Sequence, residues 1–187
     1  MEQLYEFLWP RKGEDGVSVF SAPVADGAVP FIHLDDIGKY VRWIFTHPAE
    51  SKGLDLKVAT EHVGWEYLAK TFTDVTGQPA RYEPVGVDEY FKTGPLAPAA
   101  NITLGPKGLD DDTLLTFKEN FSAWWRLYQR SADNKGLITR DYEFLDKVLP
   151  DRVKSLAEWM RKTGYSGERK QVLKSTNIPD PHRLGTE

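Results

Sequence analysis

At 187 residues the chain is long enough for one domain with a true core, and its net charge of −4 argues against a nucleic-acid-binding surface. Zero cysteines exclude disulfides, thiolate catalysis and cysteine-ligated metals. No apolar run approaches the roughly 18–20 residues that span a bilayer, and the first ten residues lack the basic region and cleavage site of a signal peptide. The expectation is a cytoplasmic α/β domain with no direct contact to membrane or nucleic acid.

Met1, Leu4, Tyr5 and Leu8 stand at helical spacing, and Pro10 ends that helix. Residues 17–20 and 29–34 read as strands, separated by a turn built on Ala25-Asp-Gly-Ala28. The second strand runs into two acids, Asp35 and Asp36, either of which can cap the first turn of a helix. In that helix Ile37, Tyr40, Val41, Ile44 and Phe45 fall at i, i+3, i+4, i+7 and i+8, the stripe of a helix packed on a core; Pro48 stops it.

A third strand is expected over residues 54–59. The helix after it carries Trp65, Leu68, Ala69, Phe72 and Val75 on one face and ends at Gly77, a natural left-handed C-terminal residue. Residues 81–85 read as a short strand and 87–91 as a helical turn. Proline and glycine cluster between Thr93 and Gly108, a long loop that either covers a site or only connects two elements. A helix opening at Asp110-Asp-Asp-Thr113 follows, with Leu114, Phe117, Phe121, Trp124 and Tyr128 in register. Ser155-Leu-Ala-Glu158 forms a capping box for a last helix whose stripe is Leu156, Trp159 and Met160, ending at Gly164. Periodicity fades toward Glu187, so residues 169–187 are expected to be a flexible tail behind a region spanning 1–168.

Several blocks, in order, resemble the NmrA-like family of atypical short-chain dehydrogenases. They are Gly16-Val-Ser-Val-Phe-Ser-Ala-Pro23, Pro30-Phe-Ile-His-Leu-Asp-Asp-Ile-Gly38, Ala59-Thr-Glu-His-Val-Gly-Trp-Glu-Tyr-Leu-Ala69 and Ser155-Leu-Ala-Glu-Trp-Met160. Each is weak alone; their order over residues 1–168 is the signal. The resemblance implies the carboxyl-terminal portion of a Rossmann-like α/β fold, with a few strands and a mostly helical second half. In such proteins a glycine-rich turn brings backbone amides against a dinucleotide pyrophosphate. The nearest candidates here, Gly13-Glu-Asp-Gly16, Gly105-Pro-Lys-Gly108 and Gly164-Tyr-Ser-Gly167, do not follow a strand and open a helix. No Tyr-x-x-x-Lys pair occurs. The chain alone is therefore expected to bind no cofactor, while a full-length relative would use NADP or NAD.

Two functional readings follow. In the first, the chain is the substrate- or partner-binding portion of an NmrA-like oxidoreductase or redox-sensing regulator. In the second, it is a cofactor-free protein that binds a hydrophobic metabolite or acts as an isomerase or cyclase. The acid–base candidate is His33, two residues before Asp35; the competing reading is a histidine bonded into the core. Glu61-His62 lacks a third ligand at a sensible spacing, so no metal is expected. Aromatics make up 12% of the residues, six of them tryptophan, which suits a site for a flat apolar molecule as well as a core. The substrate-binding set is Tyr5, Trp9, Phe31, Trp124 and Trp125, and the partners are a hydrophobic small molecule or a regulatory protein. Strands that would pair with a larger sheet leave apolar faces uncovered, so a homo-oligomer is expected.

Overall fold

Chain-local signals place most of the helices. The computed structural model describes residues 1–105, 111 and 113–172. Its elements begin with α1 (Gln3–Glu6), β1 (Arg11–Lys12), β2 (Ser18–Ala22), β3 (Val29–Phe31), α2 (Leu34–Thr46) and α3 (Pro48–Ser51). They continue with β4 (Glu61–Val63), α4 (Trp65–Thr76), β5 (Ala80–Pro84), α5 (Val87–Thr93) and a 3-10 turn at Ala97–Ala99. After these come α6 (Phe117–Tyr128), β6 (Ser131–Ala132), β7 (Lys135–Gly136), α7 (Tyr142–Val148) and α8 (Leu156–Thr163). No helix among the described residues is long and apolar enough to cross a membrane.

The central unit is a parallel pair. β2 runs alongside β5 with Ser18 opposite Ala80 and Ala22 opposite Pro84, while β1 adds an antiparallel edge to β2. A parallel pair needs a crossover, and α4 supplies it by packing on both β5 and β2. Strand alternation then sorts the side chains of β2. Phe20 meets Phe72 of α4, ring centroids 5.4 Å apart, while Val19 and Ser21 face a cavity on the other side. β3 and β4 form a separate antiparallel pair, and β6 and β7 a two-residue hairpin whose turn residues Asp133 and Asn134 both have positive φ.

The α4 stripe is buried as its spacing predicts: Trp65, Leu68, Ala69 and Phe72 are all nearly inaccessible. Gly77 and Gly164 close α4 and α8 in the left-handed region, φ 71° and 63°. At α8 half of the predicted capping box forms. Ser155 accepts from the Glu158 amide at 3.1 Å, but the Glu158 carboxylate accepts from the Lys154 amide instead of closing back on Ser155.

Three local expectations are corrected. The α2 stripe faces away from the core: Ile37, Val41, Ile44 and Phe45 are exposed, Phe45 by 80%, and of the predicted set only Tyr40 is buried. Amphipathic spacing fixes the phase of a helix but not which side finds a partner. Here the buried side is set by Asp36, 1% exposed, whose Oδ2 accepts from the Val153 amide at 2.8 Å and whose Oδ1 meets Lys39 Nζ at 3.0 Å. Residues 54–59 form no strand; Leu54 is exposed, and no described strand lies beside them. The helix expected from Asp110 begins at Phe117, where Thr116 and Glu119 make a complete capping box; residues 110 and 112 lie outside the described set. Most of the expected tail, residues 173–187, also lies outside it.

Candidate functional site

Beside β2 lies a cavity of about 440 Å³, within the size range of small-molecule sites. The segment after α1 contributes Trp9, β2 contributes Val19 and Ser21, the residue after β5 is Val85, and α5 contributes Tyr90. The start of the long Pro/Gly-rich loop, Gly94 to Pro98, lines one side of this cavity. Gly94 has a steric reason to be glycine: a Cβ there would stand 2.4 Å from the Tyr90 carbonyl oxygen and 3.1 Å from the Tyr90 ring. The loop thus lies flat on the tyrosine.

The wall is mostly apolar. Its charged member, Arg11, is exposed at the rim and engaged with Glu83. The Thr93 hydroxyl donates to the Glu89 carbonyl at 3.1 Å. Two hydroxyls remain. That of Tyr90 is buried without a hydrogen-bond partner among the described residues, and burial raises its pKa well above the ordinary phenol value, so it stays protonated. Ser21, half-buried, likewise has no side-chain partner among the described residues. Among the described residues, no carboxylate or histidine lines the cavity.

Of the sequence-predicted set, Trp9 lines this cavity, its ring face covered by the Arg169 guanidinium 4.8 Å from the centroid. Trp125, 1% exposed, sits behind the wall with its ring centroid 5.4 Å from that of Tyr90. Trp124 packs edge-on against Trp125 and Tyr128 at 4.7 and 4.5 Å. Phe31 is buried 6.1 Å from Trp65, and Tyr5 is wedged between Trp159 and Tyr165. The structure therefore gathers these aromatics in one core but brings a single member to the cavity.

His33 lies elsewhere, 4% exposed at the N-terminus of α2. Its Nδ1 is 2.7 Å from Glu2 Oε1, and the other Glu2 oxygen accepts from the Leu34 amide at 3.2 Å. Nε2 stands 3.4 Å from Asp35 Oδ2, near enough for an ion pair with a protonated ring but without hydrogen-bond alignment. Glu2 also accepts from Trp159 Nε1 at 3.2 Å. Burial would raise the Glu2 pKa, yet the adjacent terminal ammonium and the His33 hydrogen bond outweigh it and hold the carboxyl below its ordinary value. The capping role expected of Asp35 or Asp36 thus falls to Glu2, a residue 32 positions upstream of Leu34.

Sequence reasoning missed Val19, Ser21, Val85 and Tyr90. The available signal was the two-residue alternation of β2 together with the Pro/Gly loop that follows Tyr90.

A nucleotide cradle would need several backbone amides at a glycine-rich strand-to-helix turn. The described joints offer single glycines: Gly64 between β4 and α4, and Gly86 between β5 and the seven-residue α5. The described residues do not fit a dinucleotide diphosphate.

A parallel strand pair bridged by a helix, with a cavity against one face, defines an α/β unit. The NmrA-like family model matches residues 1–107, and the chain belongs to that family. A curated relative, the NmrA-like family domain-containing oxidoreductase FrzB of Cladobotryum sp., is 34% identical over 67 residues, covering 35% of this chain and 20% of its own length. Among solved structures, a nucleoside-diphosphate-sugar epimerase from Staphylococcus aureus superposes with a TM-score of 0.55 at 18% identity, over 76% of this chain and 43% of the epimerase. A doubly substituted mutant of NmrA gives 0.52 at 13% identity, over 86% of this chain and 51% of its own. The fold is thus Rossmann-like, and the chain spans about half or less of the length of these proteins.

Proposed function

We propose that this chain is the ligand-binding portion of an NmrA-like oxidoreductase or redox-sensing regulator, and that the cavity beside β2 holds a planar, largely apolar small molecule. The observation that carries the reading is the cavity itself: about 440 Å³, walled by Trp9, Val19, Val85 and prolines, with few polar groups. The family match and the oxidoreductase relative support the wider setting. On this reading NADP or NAD is held by residues other than these, because the strand-to-helix joints described above lack the glycine-rich cradle. The cavity selects and orients, and the redox chemistry comes with the dinucleotide. A described wall without carboxylate or histidine favours binding over a cofactor-free acid–base reaction.

The test is a calorimetric titration with flavone and, separately, with NADPH. Micromolar flavone binding that disappears in Val85→Trp, which fills the cavity, supports the reading; flavone binding unaffected by the filler places the ligand elsewhere. Micromolar NADPH binding by these 187 residues alone overturns the division of labour.

A further inference from the structure

The stretch after α8 turns back along the start of the chain. The Tyr165 hydroxyl donates to the Leu4 carbonyl at 3.2 Å, and the Lys170 amide donates to the Tyr5 carbonyl at 3.0 Å. Between these two bonds Gly167, at φ 83°, passes close to Pro10 and Phe72: a Cβ there would stand 3.1 Å from Pro10 Cγ and 3.2 Å from the Phe72 ring. Any other residue at this point is both strained and crowded, so the close approach is written into the sequence. Two residues on, the Arg169 guanidinium lies over the Trp9 ring, 4.8 Å from its centroid. Trp9 is in turn part of the cavity wall.

The sequence restrains Trp9 only in part. Pro10 confines the backbone of the residue before it to extended conformations but leaves the rotamer of the indole to its neighbours. The residue is half-buried, and its N–H has no hydrogen-bond partner among the described residues. A guanidinium over an indole is attracted to the electron-rich face and favours one plane of the ring. We infer that Arg169 is a positioning residue for the cavity: its guanidinium holds the Trp9 ring in the wall, so the stretch after α8 shapes the seat of a planar ligand. Without that cation the ring visits other rotamers, and a ligand that needs it in place bears the cost of ordering it. This inference rests on the cavity being the ligand seat.

The experiment uses the full chain and two readouts. With 5-fluorotryptophan incorporated, the fluorine resonance of Trp9, identified by its loss in Trp9→Leu, shifts in Arg169→Met while those of the other five tryptophans stay in place. Arg169→Met keeps an apolar stem and removes the cation, which separates charge from packing. Calorimetry with flavone then gives an affinity about threefold to fivefold lower in Arg169→Met, the size of an exposed cation–π contact. Arg169→Lys keeps a cation over the ring and stays within about twofold of the parent. An unshifted Trp9 resonance, a methionine variant that binds as well as the parent, or a lysine variant as weak as the methionine one overturns the inference. In each of those cases the cavity reading stands if the parent binds flavone and Val85→Trp abolishes that binding. A parent that does not bind flavone sinks both.

Discussion

Replacing Asp36 tests the claim that one buried carboxylate, and not the apolar stripe, fixes the orientation of α2. Asp36 is 1% exposed, and its Oδ2 takes the amide of Val153, itself 1% exposed, at 2.8 Å. Asp36→Ala leaves that amide buried without an acceptor, which costs about 1–3 kcal/mol. It also removes a negative charge from the first turn of a helix, worth up to about 1 kcal/mol. The Lys39 partner is 38% exposed, so that ion pair adds only about 0–1 kcal/mol. Against this stands the relief of no longer desolvating a carboxylate. The net expectation is a loss of about 2–3 kcal/mol, or a melting temperature lower by roughly 4–12 °C for a chain of this size. Asp36→Asn keeps an oxygen for Val153 and loses the charge, so it costs about 1 kcal/mol. Urea unfolding monitored by circular dichroism gives both numbers from the midpoint and slope. An Asp36→Ala variant within about 0.5 kcal/mol of the parent refutes the reasoning. Equal losses in the two variants show that the charge matters, and not the acceptor.

Four further outcomes follow from other parts of the molecule. We propose that the chain self-associates through the exposed side of α2; Phe45→Glu then weakens the dimer about tenfold to a hundredfold in sedimentation, and a parent chain that stays monomeric at high concentration ends the idea. His62 donates from Nε2 to the Ile138 carbonyl at 3.1 Å and accepts from the Tyr142 hydroxyl at 2.6 Å, and burial lowers its pKa although the carbonyl bond opposes the shift. A folded pKa below the unfolded 6.5 means that this contribution is complete above pH 6.5 and is lost as the pH falls from there through the folded value. His62→Gln should therefore flatten the stability profile between about pH 7.5 and 5, and an unchanged slope would falsify the assignment. Gly27→Ala puts a Cβ 2.1 Å from the Tyr128 carbonyl oxygen and 2.8 Å from Gln129 Cα, both backbone, so the variant loses at least about 2 kcal/mol in thermal melts; wild-type stability there means that the two segments are not in contact. His33→Ala leaves flavone affinity unchanged, since the histidine is enclosed by Glu2 and Asp35 away from the cavity; a tenfold loss would tie the two regions together.

What the sequence revealed was mostly local. Gly77 and Gly164 each end a helix, Ser155 starts one, and the stripe from Trp65 to Phe72 faces the core, because each signal depends on residues within a turn or two. The helix α2 shows where that logic stops. Its apolar spacing is genuine, but its orientation depends on a hydrogen bond between Asp36 and Val153, 117 positions apart. The cap of the same helix comes from Glu2 and not from either adjacent acid. The cavity was legible only in part for a related reason. Trp9, Ser21, Val85 and Tyr90 come together because β2 and β5 pair in parallel across an intervening 57 residues, from Pro23 to Pro79, and no motif within a window records that pairing. The family resemblance did carry across that distance, because it is written in the order of many weak blocks.

The alternation along β2 divides labour within five residues. Ser18, Phe20 and Ala22 are committed to the interior, where Phe20 is locked against Phe72, while Val19 and Ser21 look into the cavity. Val19 is as inaccessible as Phe20, so of the two cavity-facing positions only the half-buried Ser21 can be exchanged at little cost to the scaffold. On the proposed reading, that single position is where the strand can alter what the cavity accepts while the opposite side stays fixed.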